Sequence, residues 1–280
     1  MIEDNHAGLK AAREIKAMSD ETQPPSPLDA GCESCHGGLP EDPEIPGFNV
    51  ALDGSAMAGL LQKHWLGDDA CCLGVRMVRF RYRAQRRLIV VYEVDVSNAS
   101  HGRRQCLTVT GRIHPGRPLR ARKIHTTEGP GGSLPEVAIL PEIAMVVEVF
   151  PRDRRMPALR ALADPTSSAT RALFKHNDAL RFMEQHALSA KLVRYRPGLS
   201  ATLQISARIT ERGSPSQCFL KITSDDELAH EIEAAGRVNK VLRRNGVTRL
   251  RVAEPAAWQR RDNAAVYLPA DGIALDRMLM

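Results

Sequence analysis

The sequence predicts an α+β chain: a flexible N-terminal tail, then two tandem modules, each an antiparallel sheet with helices on one face. Three observations carry that reading. The first 50 or so residues are poor in apolar runs and rich in breakers, including Gln23-Pro24-Pro25-Ser26-Pro27, Gly31, Gly37-Gly38, Pro40, Pro43 and Pro46. Two strand-rich blocks follow, the first opening on Met77-Val78-Arg79-Phe80-Arg81-Tyr82, which alternates apolar and basic residues at the period of a half-buried strand. Finally, Arg81-Tyr82-Arg83 stands 113 residues before Arg194-Tyr195-Arg196, and the same offset sets Cys106-Leu107-Thr108 against Phe219-Leu220-Lys221. Phe150-Pro151-Arg152-Asp153 also echoes Leu268-Pro269-Ala270-Asp271 at a slightly larger offset. The organisation expected is a tail over 1–50, one module over 51–165 and a second over 166–280.

The elements follow in order. Met57, Leu60, Leu61, His64 and Trp65 have the spacing of a short amphipathic helix between Asp53 and Gly67. Met77 to Tyr82 and Leu88 to Val94 read as a hairpin about the turn Arg83-Ala84-Gln85-Arg86, and Gln105–Thr110 and Ile143–Phe150 read as further strands. A Gly- and Pro-rich loop, Glu128 to Pro135, separates them. After Pro151 the pattern turns helical over Ala158–Ala163, Ser167–Phe174 and Asn177–Ala187. A second hairpin follows, Lys191–Arg196 and Ala201–Ile209 about Pro197-Gly198. Then come a strand ending Cys218-Phe219-Leu220-Lys221, a helix from Ser224 to Arg244, and strands at Leu250–Val252 and Ala265–Leu268.

Composition narrows the function. The chain has 280 residues, enough for two modest domains, and its 43% hydrophobic content is ordinary for a globular protein. Aromatic content of 4% argues against a base-stacking nucleic-acid platform, and the net charge of +6 is spread rather than gathered into a basic run. No nucleic-acid partner is expected. No stretch approaches the roughly 20 apolar residues that cross a bilayer, so no membrane span is expected. Met1-Ile2-Glu3-Asp4-Asn5-His6 lacks the basic and apolar start of a secretory signal. With six cysteines and no export signal, the expectation is a cytoplasmic protein with reduced thiols.

Lys221 closes an apolar strand and is followed by a helix offering Glu227, Glu231 and Glu233. Phosphoryl transfer needs a cation on the triphosphate, and a strand lysine steadied by a helix glutamate supplies one. The spacing to Val241-Leu242 favours Glu233 as the partner with Glu231 second, because residues two apart lie on different helix faces. A strand-end lysine in solvent beside an acidic first turn is the plainer reading of the same residues.

The order of elements adds to this. Val193-Arg194-Tyr195-Arg196-Pro197-Gly198, Phe219-Leu220-Lys221 and Val266-Tyr267-Leu268-Pro269-Ala270-Asp271-Gly272 resemble the first strand and turn, the lysine strand and the hinge of the aminoglycoside-phosphotransferase-like branch of the protein-kinase-like superfamily. The resemblance covers about 190–280, and 75–150 more weakly. It implies two kinase-N-lobe-like modules, with ATP and Mg as ligands. Lys221 would touch phosphate, Glu233 or Glu231 would orient it, and Pro269, Ala270, Asp271 and Gly272 would line the adenine pocket. The family's catalytic His-x-Asp and later metal-binding Asp follow the hinge, and the sequence to Met280 has neither. Activity would therefore need a C-terminal lobe from a longer product or a partner chain. His176-Asn177-Asp178 precedes the lysine strand and does not fit that role. In the first module the lysine position reads Thr108, which implies a copy unable to grip phosphate. A non-catalytic binding or scaffold protein is the rival expectation.

Cys32-Glu33-Ser34-Cys35-His36 has the thiol and histidine spacing of a c-type haem attachment site, and Cys32, Cys35 and His36 could serve a zinc ion with Cys71 or Cys72. The missing export signal and the lack of a shielding helical core weigh against haem. The adjacency of Cys71 and Cys72 weighs against zinc, and unpaired thiols are the simplest state. Cys106 and Cys218 are expected as small core residues at matching strand positions.

Overall fold

The structure is a computed structural model that describes residues 42–68, 70–98, 104–115, 134–175, 177–181, 183, 187–207, 217–247 and 250–269. All of them belong to one unit that begins at Asp42. Two five-stranded antiparallel sheets organise it.

The first sheet contains β1 (Ala70–Arg83), β2 (Arg87–Asn98), β3 (Arg104–Ile113), β4 (Val137–Leu140) and β5 (Met145–Val149) in the spatial order β1-β2-β3-β5-β4. The second contains β6 (Leu188–Arg196), β7 (Ser200–Ala207), β8 (Gln217–Thr223), β9 (Ala257–Gln259) and β10 (Ala264–Tyr267) in the matching order β6-β7-β8-β10-β9. Helices α1 (Phe48–Leu52) and α2 (Gly54–Leu61) pack on the first sheet. Helices α3 (Leu159–Ala163), α4 (Ser168–Lys175) and α5 (Asp178–Arg181) serve the second, and α6 (Glu227–Arg244) links β8 to β9.

Alternation explains each core. Leu88, Val90, Tyr92, Val94 and Val96 all turn to one face of β2 and bury against Phe48, Met57, Leu61 and Trp65. On β7 the alternation is as strict, with Ala201, Leu203, Ile205 and Ala207 buried against Leu162, Leu173 and Phe174. The two buried tyrosines are satisfied: Tyr92 donates its hydroxyl to Ala51 O at 2.6 Å, and Tyr195 to Asp153 Oδ2 at 2.9 Å.

The two halves are copies at the level of individual hydrogen bonds. Asp42 Oδ2 accepts from Tyr82 Oη and from the Gln85 amide, both at 2.8 Å. Asp153 Oδ2 accepts from Tyr195 Oη at 2.9 Å and from the Gly198 amide at 2.6 Å. Gln85 and Gly198 occupy the same left-handed turn position, with φ of 55° and 68°. Phe48 meets the Tyr82 ring edge-on at 5.0 Å, as Phe150 meets Tyr195 at 5.3 Å. In both halves the last two strands are joined by a 3₁₀ turn that ends in a left-handed residue, Ala144 or Asn263. Each repeat therefore opens with an aspartate that fastens its own hairpin turn. The openings are Asp42 and Asp153, earlier than the module starts at 51 and 166 read from sequence.

Several expectations change. Residues 42–50, assigned to the tail, enter the first core through Ile45 and Phe48. The strand expected at Leu250–Val252 is loop, and the edge strand is Ala257–Gln259. There the Asn239 side chain holds the Val252 backbone by two bonds of 2.8 Å, which substitute for a ladder. Strand β4 was missed because four residues between a Gly/Pro-rich loop and a proline give no period to read. Cys106 is exposed, whereas Cys218 is buried and its thiol is pushed up to about 12 by that burial. The two cysteines are not at matching positions, because Cys106 stands opposite Asp95 and Cys218 opposite Ile205.

One surface cluster predicts a pH effect. Glu142 Oε1 accepts from Lys63 Nζ at 2.7 Å and meets His64 Nε2 at 2.8 Å, and these contacts hold its carboxyl down at about 2, against 4.5 ordinarily. A depressed carboxyl contributes stability above its unfolded value and loses it as pH falls through the folded one. The wild-type advantage in unfolding midpoint over Glu142→Gln should be constant near neutrality and shrink between about pH 4.5 and 2. Thermal scans of both proteins across that range check it.

Candidate functional site

Lys221 sits on the middle strand of the second sheet, in a row that runs Arg194, Thr202, Lys221, Ala265 across β6, β7, β8 and β10. Residues paired across antiparallel strands share a face. That face is opposite the one that buries Leu220 and Ile222, and α6 lies over it. The ammonium is consequently directed along the sheet toward the helix, and Lys221 Nζ is ion-paired with Glu231 Oε2. Their side chains are 28% and 45% exposed, so the pair lies at the edge of solvent, open to an incoming ligand.

Glu231, not Glu233, is thus the lysine's partner. Leu228, Ala235 and Asn239 form the buried stripe of α6, and Glu231 falls on it, three residues after Leu228 and four before Ala235. Glu233 points elsewhere and reaches Arg237 one turn on, at 3.7 Å, with both side chains well exposed. The Leu228–Ala235 spacing was the sequence signal for this; Val241 and Leu242 misled because Val241 is 54% exposed.

Sequence reasoning also missed Tyr267. It pairs with Phe219 one step along the sheet from Lys221, and its hydroxyl is pushed up by burial first and then by the Glu231 charge. Pro269 follows β10 and is half-buried, while Ala270, Asp271 and Gly272 lie outside the described residues.

The first repeat corrects another expectation. Hairpins β1–β2 and β6–β7 close on Arg83–Arg87 and Arg196–Ser200. Two residues beyond each closure, Ile89 stands opposite Arg112 and Thr202 opposite Lys221. On the other side Arg112 faces Val146 and Lys221 faces Ala265. The counterpart of Lys221 is therefore Arg112, and Thr108 corresponds to Gln217. The fixed offset slipped because the β2–β3 hairpin is longer than the β7–β8 hairpin. The cation is retained in the first copy, and two carboxylates engage it: Glu148 at 3.0 Å and Asp153 at 3.5 Å.

Other candidates resolve as follows. Asn177 Nδ2 donates to Ala256 O at 2.5 Å, tying the helical connector to the approach of β9, and Asp178 pairs with Arg181 at 3.1 Å. His176 and the Cys32, Cys35 and His36 motif lie outside the described residues. Cys71 is exposed and Cys72 half-buried. Among the described residues no three His, Cys, Asp or Glu side chains are grouped to hold a metal ion, and no helix is long and apolar enough to cross a membrane. Compared with known protein families, curated proteins and solved structures, the chain gives no match.

Proposed function

We propose that the second repeat is the nucleotide-binding lobe of a phosphotransferase-like protein of the aminoglycoside phosphotransferase type. The observation that carries this reading is the Lys221–Glu231 pair: a lysine on the middle strand of a sheet, steadied by the next helix where both side chains still reach solvent. The order of elements supports it too: hairpin, lysine strand, helix, two strands, as in a kinase N-lobe. An ammonium held by one carboxylate keeps two N–H donors for phosphate oxygens. The magnesium that accompanies ATP would neutralise the remaining phosphate charge. Pro269 and the residues after it would line the adenine edge. In this reading Lys221 and Glu231 bind and orient the phosphates, and the transfer step itself is assigned to neither of them.

A non-catalytic binding module is the second reading. It is favoured by the groove of about 650 Å³ between α6 and the loop before β9, where Val247, Leu250, Val252 and Leu268 are all exposed. Titration calorimetry with Mg·ATP separates the two. Wild-type protein should bind, Lys221→Ala should bind about 10- to 100-fold more weakly, as expected for a lost charge-assisted bond, and Glu231→Gln should fall between. Equal affinity in all three proteins, or none in the wild type, would leave the binding module as the better account.

A further inference from the structure

The first sheet turns a set of arginines toward the second repeat. Arg81, Ile89 and Arg112 form one row across β1, β2 and β3, and the pair Arg83–Arg87 closes the hairpin one step on. Residues two apart on a strand share a face, so Arg81, Arg83, Arg87 and Arg112 stand together. The turn of β6–β7 approaches them from the opposite side. Arg81 Nη2 lies 3.5 Å from Pro197 O, and a methyl group added to Gly198 would stand 3.1 Å from Arg155 Cδ and 3.8 Å from Arg112 Nη1. Arg196 flanks the same turn and, with Arg79 and Arg81, borders a cleft of about 170 Å³ whose apolar wall includes Ile89, Val91 and Leu199.

This positive charge is incompletely balanced. Glu148 is taken by Arg112 at 3.0 Å and Arg154 at 2.7 Å, and Asp153 by Arg112, Tyr195 and the turn amide. Among the described residues no carboxylate lies within ion-pair distance of Arg81, Arg83, Arg87, Arg155 or Arg196. Among the described residues Arg87 Nε is buried without a hydrogen-bond partner, a costly state for a charged donor. Burial first, and then the neighbouring arginines, pull the Arg81 and Arg87 guanidinium groups below their ordinary range. A packed group of forked donors with an orphaned buried N–H is the arrangement that recognises phosphoryl oxygens.

We propose that Arg81, Arg83, Arg87, Arg112, Arg155 and Arg196 form a binding site for a multiply charged phosphate, of the pyrophosphate or nucleoside polyphosphate class, between the two hairpin turns. It shares no residue with the Lys221 site. Several cations brought close together at a cost in repulsion match a ligand with three or more negative charges better than a single orthophosphate.

Thermal unfolding of the full chain tests this, with sodium pyrophosphate, orthophosphate or ATP without magnesium as probe and ionic strength held with NaCl. Pyrophosphate should raise the wild-type midpoint by linkage. Arg87→Gln, and the exposed Arg196→Gln should the first fail to fold, should bind it at least tenfold more weakly. Lys221→Ala should respond like the wild type. ATP acting as pyrophosphate does, including on Lys221→Ala, would assign the site to nucleotide polyphosphates; a response to pyrophosphate alone would assign it to the inorganic anion. Without ligand, Arg87→Gln should unfold no earlier than the wild type, because a repelling charge is gone. No midpoint rise with either polyphosphate, an undiminished rise in both arginine variants, equal response to orthophosphate, or a rise abolished by Lys221→Ala alone would each overturn the proposal.

Discussion

Replacing Asp153 with alanine is expected to remove about 3–5 kcal/mol of folding stability, as breaking buried charged networks does elsewhere. The side chain is fully buried and satisfies groups from several segments. Oδ1 accepts the Arg155 amide at 2.9 Å, while Oδ2 takes the Tyr195 hydroxyl at 2.9 Å and the Gly198 amide at 2.6 Å, with Arg112 Nη2 at 3.5 Å. Truncation strands a buried hydroxyl and a buried turn amide and leaves Arg112 leaning on Glu148 alone. Each buried polar group so orphaned costs about 1–3 kcal/mol. Asp42, its counterpart, makes the same contacts to Tyr82 and Gln85 and, among the described residues, pairs with no arginine, so Asp42→Ala should cost less. Urea unfolding of both variants measures the difference, and equal losses would show that Arg112 contributes nothing.

Gly47→Ala is the second large effect, expected at about 2–4 kcal/mol. Gly47 stands before α1 with φ at 72°, a left-handed conformation that costs a residue with a Cβ about 1–2 kcal/mol. The added methyl would also lie 2.1 Å from Ile143 Cγ2 and 2.4 Å from Ile143 Cβ, a buried β-branched side chain with little freedom to move. Overpacking of this kind costs about 1–3 kcal/mol. Gly59, inside α2 with open space where a Cβ would project, is the internal control: Gly59→Ala should be neutral or stabilising. Chemical denaturation midpoints for both should move in opposite directions or differ by most of the predicted cost.

Periodicity and the repeated Arg-Tyr-Arg made the two-sheet α+β architecture legible, because alternate residues of β2 and of β7 enter the core of their own sheet. The long helix after Lys221 was legible for the same reason. The start of each repeat was not. Asp42 and Asp153 act through tertiary hydrogen bonds to a turn some forty residues away, and no local pattern announces such a contact. Matching Lys221 to Thr108 failed because sequence offsets ignore hairpin length, whereas strand register places Arg112 there. At the site, Lys221 and an acidic partner were both readable, but the choice of Glu231 over Glu233 required the stripe on α6 that packs on the sheet. Tyr267 was legible only as part of the last strand, and its place beside Glu231 depends on the pairing of β10 with β8.

Chemical labelling of Lys221 tests the nucleotide reading most directly. An acyl-phosphate derivative of ATP acylates amines that lie against its phosphates, and mass spectrometry of the digested chain identifies which lysine carries the mark. The account predicts preferential acylation of Lys221 and its suppression by excess Mg·ATP, with Lys240 on the exposed face of α6 labelled to the same extent throughout. Labelling of Lys221 no greater than that of Lys240, or unaffected by Mg·ATP, would contradict it.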